Sequence, residues 1–275
     1  VNPGATLVAT DTSFTNAVAS YYGGAISAET ATVTLRRVSV TENVAHGASE
    51  FVLDVIGGGL YARDSFLTIE DSLVAHNSAI HDSQTGGPAA RGGGLYILDS
   101  DFVIRRSTIR ANIATGSPSM DGKAYGAGVY VRNGVGWHGS IDSSTISANG
   151  AYGGFSANGV AAGGGILLEE ASDLPVRHVT LSSNTADATL AQGDHIHRGS
   201  GGGTVELRAS ILGFVPDPCS TALGPLSSEG FNVSANADPD CGLGSKDRAA
   251  AETGFSGGTT DNGGQSWDDV SLPDP

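Results

Sequence analysis

Gly57-Gly58-Gly59-Leu60-Tyr61, followed by Ser72-Leu73-Val74-Ala75-His76-Asn77, recurs as Gly92-Gly93-Gly94-Leu95-Tyr96, followed by Ser107-Thr108-Ile109-Arg110-Ala111-Asn112. Further glycine starts lie at Gly23, Gly126 and Gly163, and a degraded copy runs Gly193-Asp194-His195-Ile196-His197. The apolar residue inside each start is Ile26, Leu60, Leu95, Val129, Ile166 and Ile196, at spacings of 34, 35, 34, 37 and 30. Asn43, Asn77, Asn112, Asn149 and Asn184 close five full copies, and a partial copy, DTSFTN, ends at Asn16. Self-similarity at a fixed period of this size marks a repeat architecture.

Between the markers, apolar residues alternate with polar ones over short runs, as in Phe66-Leu67-Thr68-Ile69, and helical periodicity is absent. Short β-branched runs punctuated by Gly, Asn, Asp and Ser read as strands. Three strands per repeat fit: one after the glycines, one in the middle and one before the asparagine. One such unit cannot bury its own apolar face, but stacked copies can. The expected fold is all-β: a right-handed single-stranded parallel β-helix of about six coils over residues 1–212, with a disulfide-tied C-terminal cap and tail over 213–275.

In that stack the asparagines lie one strand spacing apart, and their amides can form a hydrogen-bonded ladder. Asparagine also tolerates the left-handed backbone that ends a strand. A charged column, Arg36, Glu70, Arg105, Asp142, Arg177 and Arg208, alternates in sign over its first five members and should pin the register on an outer face. An aromatic column, Tyr61, Tyr96 and Tyr130, continues as Leu167 and His197; it reads as a bland outer ladder or as a sugar-binding platform. The segments 44–56, 78–91, 113–125 and 150–162, with shorter ones at 17–22 and 185–192, leave at one corner. They should stack as a layer of variable loops, which is how repeat proteins build interaction surfaces.

Composition limits the functions. The chain has 14 basic and 29 acidic residues, a net charge of -15, which disfavours nucleic acid and polyanionic polysaccharides. No run of apolar residues is long enough for a membrane helix. Cys219 and Cys241 flank a polar loop and read as a disulfide rather than two reduced thiols, which points to an oxidising place outside the cytoplasm. The chain starts inside a pattern and is read as a mature protein or an excised fragment.

The glycine starts with recurring asparagine-ended segments resemble the polymorphic outer-membrane-protein repeats of bacterial autotransporter-type surface proteins. More closely, the chain resembles bacterial secreted right-handed β-helix proteins of the CSLREA-associated group. The resemblance is carried at the C-terminus by Cys219, Gly230-Phe231-Asn232-Val233, Asp238-Pro239-Asp240, Cys241 and Asp261-Asn262-Gly263-Gly264. It covers about residues 7–264, lacks the CSLREA segment itself, and ends in QSWDDVSLPDP where a Pro-Thr-rich continuation is usual. It implies the fold and a secreted or surface location, and no activity.

Chemistry-bearing groups are few. Asp64 and Asp99 share a register after the first strand, with Asp101, Glu70, Asp71 and Asp142 nearby, and a hydrolase needs a carboxylate pair. Each of the first two precedes a serine at a corner, which is ordinary turn chemistry. Asp194-His195-Ile196-His197 has the look of a metal cluster, with both histidines on one face of a strand and Asp194 opposite. Asp238, Asp240 and Asp261 are candidate calcium ligands, without EF-hand spacing. No catalytic residue and no other cofactor is assigned. The expected role is a secreted or cell-surface scaffold or adhesin whose partner is itself, by end or edge pairing, or a surface glycan or protein. The alternative is a carbohydrate-active enzyme or glycan-binding module.

Overall fold

The computed structural model describes residues 1–47, 53–82, 88–117, 121–170, 172–201, 203–222, 225–235 and 238–249. Every strand pairing is parallel, and each strand pairs with its equivalent in the next copy. The chain is a parallel β-helix. One turn shows the plan: Leu60–Arg63, Phe66–Glu70, Leu73–Ala75, Ser78–His81 and Ala89–Arg91. These open five sheets that run the length of the molecule, here numbered 1 to 5 in that order. Five turns carry all five strands, close to the six coils expected. Among the described residues the only helical element is a 3-10 turn at Pro239–Cys241, and no helix is long and apolar enough to cross a membrane.

Sheets 1, 2 and 3 are the three strands read from the sequence. They enclose the main core, which includes Leu35, Ile69, Ile104, Ile141 and Val176 from one inward column of sheet 2 and Val40, Val74, Ile109, Ile146 and Leu181 from sheet 3. Each of these is at most 1% exposed. The charged column keeps its expected register throughout, Arg36 on Glu70, Glu70 on Arg105, Arg105 on Asp142, Asp142 on Arg177 and Arg177 on Arg208. Glu70 is the pivot, with Arg36 at 3.3 Å on one side and Arg105 on the other. Farther along, Asp142 is bonded by Ser143 and His178, and Arg177 lies 3.6 Å from Glu229.

Sheets 4 and 5 were not expected. The segments between asparagine and glycine are not simply a layer of loops; they leave as one strand and return as another, for example Val44–Gly47 and Val55–Ile56. Their inward residues are Ala45, Ala79, Ala114, Ala151 and Ala186 on the way out, and Val55, Ala90, Ala124 and Ala161 on the way back. A core built almost wholly of methyl groups lets two sheets close on one another without bulky spacers. The result is a narrow wing beside the main body, with its own small core. Its strands are two to four residues long and use alanine, so they lack the strong alternation that identified the others.

The neck of the wing is where the two markers meet. Asn43, Asn77, Asn112, Asn149 and Asn184 are buried, and each Nδ2 from Asn43 to Asn149 donates to the Oδ1 of the next at 2.9–3.0 Å. The same amides donate to main-chain carbonyls of the preceding turn, Asn112 to Val74 at 2.9 Å. Each Oδ1 also accepts a backbone N–H, Asn77 N to Asn112 at 3.0 Å. Opposite Asn77, Asn112, Asn149 and Asn184 stand Gly59, Gly94, Gly128 and Gly165, each in the third place of its start. A Cβ on Gly94 would lie 3.0 Å from Asn112 Cγ and 2.7 Å from the Gly128 carbonyl.

Two details differ from the sequence reading. The left-handed residue is not the ladder asparagine but the one before it: Glu42, His76, Ala111, Ala148 and Ser183 have φ between 50° and 60°. Asn16 belongs to that column, since Thr15 pairs with Thr41, so Ala17 takes the ladder place in the first turn. At the C-terminal end, residues 213–249 carry strands Cys219–Thr221, Ser227–Gly230 and Val233–Ser234, which extend the existing sheets. The expected disulfide is present between Cys219 and Cys241, Cα atoms 5.2 Å apart.

Replacing Asn112 by alanine removes the side-chain donor to Val74 O and the acceptor of Asn77 N and of one Asn77 Nδ2 hydrogen, leaving that Nδ2 only its bond to Val40 O in the buried neck. The expected loss is about 3 kcal/mol or more. Asn16→Ala, outside the ladder, is expected to change stability by less than about 1 kcal/mol. Urea unfolding of both variants measures the difference.

Candidate functional site

The tyrosine column is present but lies inside. Tyr22, Tyr61, Tyr96 and Tyr130 follow one another with ring centroids 5.7, 5.8 and 4.8 Å apart, the last pair stacked. Tyr61, Tyr96 and Tyr130 are 4%, 3% and 0% exposed. Ile56 and Ala162, from the returning strands of the wing, help to cover them, and the Arg91 guanidinium lies 5.6 Å from the Tyr130 ring centre. Burial, with Glu29 nearby, pushes the Tyr61 hydroxyl up to about 12. The column therefore cements the wing to the body. It is not the outer ladder expected, and its faces are closed to a sugar.

Asp64 and Asp99 sit on the corner between sheets 1 and 2 with φ of 49° and 43°. Asp64 pairs with Arg63 at 3.2 Å, and Asp99 Oδ1 accepts the Gly134 N–H at 2.9 Å. The serines after them point inward and make a second ladder: Ala31 N donates to Ser65 Oγ and Ser65 N to Ser100 Oγ, both at 3.0 Å. Turn chemistry thus accounts for the Asp-Ser pairs. Asp71 is held by both nitrogens of Arg106, at 2.7 and 2.9 Å, and Asp11 by Arg37 at 2.6 and 2.7 Å. Those guanidinium bonds hold both carboxyls below the usual carboxylate range. This exposed column, Asp11, Arg37, Asp71 and Arg106, occupies left-handed turn positions that period-two reading cannot see.

The two histidines of the degraded glycine start do not converge. His197 falls in the tyrosine column opposite Leu167, as expected. His195 takes the place of the third glycine and is fully buried at the end of the asparagine ladder. Its Nδ1 lies 3.2 Å from Asn184 Nδ2, and its Nε2 lies 3.0 Å from the Gly213 carbonyl. The amide must donate and the carbonyl must accept, so the ring is neutral with its proton on Nε2. Asp194 accepts from Ala186 N at 2.7 Å and Asp217 N at 3.1 Å, and burial raises its carboxyl. Asp238 caps the 3-10 turn through Asp240 N at 2.9 Å and also accepts from Cys219 N. Asp261 lies outside the described residues. Among the described residues, no three His, Cys, Asp or Glu side chains are grouped to hold a metal.

The open concavity lies elsewhere, on the outer face of sheet 2. A groove of about 520 Å³ is lined by Phe66, Thr68, Asp101, Val103, His138 and Ser140, among others. Phe66 is 57% exposed and Val103 40%, large values for such side chains. The strand register places Phe66 beside Asp101 and Val103 beside both Thr68 and Ser140. One wall is His138, the end of segment 133–138, which has six residues between strands where the two preceding turns use two. That segment is built, not loose: Asn133 Nδ2 donates to Ser100 O at 2.8 Å, His138 N to Asp101 Oδ1 at 2.8 Å, and Ser172 Oγ to Gly134 O at 2.7 Å. The sequence signal was the long spacing of 37 between Val129 and Ile166, which marks an added segment without saying which face it borders.

Comparison of the chain with protein-family models, with curated proteins and with solved structures gives no match.

Burial lowers His195 and His197 each to about 4, and lowers His81 in the wing as well. A histidine with a depressed folded pKa takes its proton in the unfolded chain first. Stability should therefore fall as pH drops from about 6.5 toward 4, by about 3 kcal/mol for each of the first two. The raised carboxyls of Asp194 and Asp217 act with the opposite sign, easing the loss as they protonate. His195→Asn supplies an amide at the ladder end. Chemical unfolding across pH 4 to 7 should show its slope reduced by one proton, about 1.4 kcal/mol per pH unit.

Proposed function

We propose that this chain is a secreted or cell-surface module of a bacterium that works as a rigid structural and adhesive β-helix. The observation that carries the reading is the continuous internal bonding of the rod. The asparagine ladder runs unbroken from Asn43 to Asn184, and the Cys219–Cys241 disulfide ties the last turns. Bonds of this kind suit a module that must hold shape outside the cell, where disulfides persist. The resemblance to bacterial secreted β-helix repeats supports the same location. The outer faces of the body and the edges of the wing are the surfaces such a module offers to a surface glycan, a protein or a second copy.

A second reading, a carbohydrate-active enzyme, is favoured by one observation: Asp101 and His138 stand together in the groove on sheet 2. One experiment separates the two. Labelled protein is incubated with bacterial and host cell surfaces and with neutral and acidic polysaccharides, with and without calcium. Surface retention and new reducing ends are followed together. Retention without new reducing ends is expected. Release of reducing ends from any polysaccharide would replace the adhesive reading by the enzymatic one, and absence of retention on every surface would remove it.

A further inference from the structure

We infer that the groove on the outer face of sheet 2 is a binding site for a neutral oligosaccharide, laid along the axis of the β-helix across the turns that contribute Phe66, Asp101 and His138. The inference deepens the adhesive reading and rests on it for its biological setting, though not for its chemistry.

What the groove can bond decides the class of ligand. Strands Phe66–Glu70 and Asp101–Arg105 are paired on both sides, so the floor of the groove has its main-chain groups committed to the sheet. An extended peptide docking by strand addition needs an open edge, and this floor has none. Recognition falls to side chains. They are a half-exposed phenyl ring at Phe66, hydroxyls at Thr68 and Ser140, the carboxylate of Asp101, the imidazole of His138 and the apolar patch of Val103. A carboxylate needs donors, a hydroxyl can give or take, and a phenyl face takes C–H groups. A pyranose ring brings all three, with hydroxyls on its rim and C–H bonds on its faces.

Charge sorts among sugars. Asp101 lies in the groove, Asp64 borders a smaller hollow of about 130 Å³ on the other side of Phe66, and the chain carries -15 overall. A uronate or sulfated chain would be repelled, which leaves neutral sugars. The dimensions agree. The turns rise by about 4.8 Å each, close to the length of one sugar residue, and a volume of about 520 Å³ is within the range of small-ligand sites. Phe66 separates the two hollows, so a chain crossing its ring face could extend into both.

Precision comes from the wall. Asp101 Oδ1 is fixed by His138 N, which leaves Oδ2 to face a ligand hydroxyl, and Asn133 and Ser172 anchor the base of the same segment. Gly139 belongs to this design. A Cβ there would fall 2.0 Å from the ring of Phe102, which fills the main core on the inner side of the sheet under the groove.

The test uses isothermal titration with hexasaccharides of cellulose, xylan, mannan and chitin, and with hexagalacturonate as the acidic comparator. At least one neutral hexasaccharide is expected to bind, and hexagalacturonate is not. Phe66→Ala, an exposed position outside the core, should weaken binding about tenfold. Asp101→Asn keeps the shape and the bond from His138 N and should also weaken it. Val8→Ala, exposed on the same sheet away from the groove, should not. Silence across the panel, preference for the galacturonate, or binding unchanged by Phe66→Ala would each overturn the site. Cell-surface retention that survives Phe66→Ala would leave the adhesive role standing while removing this site from it.

Discussion

Asn77, Asn112, Asn149 and Asn184 each occupy the space that a side chain on the facing glycine would need, and this mutual exclusion at the neck organises the molecule. The asparagine amide is 3.0 Å from where the Cβ of Gly59, Gly94, Gly128 or Gly165 would stand. The glycine lets the returning chain pass close enough for the wing to close. The amide in turn bonds to the next turn, to a carbonyl of the previous one and to a backbone N–H. The 34- to 37-residue repeat is the chain length needed to come back to this contact. Both ends of the ladder show the rule by exception. Before the first asparagine, Ala17 stands in the ladder place with only its N–H on Asn43 Oδ1, and at the last a histidine replaces the glycine and closes the ladder with its ring.

The main body was legible because its constraints repeat in residue type. Glycine for the tight corner, asparagine for the ladder, and Val, Ile or Leu for the core recur at fixed offsets, and the alternating Arg36, Glu70, Arg105, Asp142 and Arg177 set the register. The wing was not legible, for a physical reason. Its core is made of alanine, whose burial contributes little per residue and leaves no strong alternation over three residues. The tyrosine column could be placed by register, but its burial depended on the wing, so it was assigned to the outside. The slip at Asn16 has a similar origin. Both the left-handed position and the ladder position accept asparagine, and a partial copy gives no second residue to tell them apart.

The candidate site shows the same division. The candidate acids Asp64, Asp99, Glu70 and Asp71 are engaged by turns and ion pairs and serve the stack. The groove depends on an outward phenylalanine and on six residues that break the repeat between Arg132 and Gly139. Departures from a repeat are where a solenoid can place something that its neighbours do not have. The added segment at 133–138 is such a departure on the body, as His195 is at the ladder end. One borders a surface concavity, and the other closes the internal bonding.

The central claim is that the asparagine amides are bonded in series. Side-chain amide hydrogen exchange, followed by NMR on asparagine-labelled protein, tests it most directly. Asn77, Asn112 and Asn149, bonded on both sides, should exchange far more slowly than Asn16 and Asn158, with Asn43 and Asn184 also protected by their carbonyl bonds. If the side chains of Asn77, Asn112 and Asn149 exchange as fast as that of Asn158, the ladder does not hold the neck, and the account of this fold fails with it.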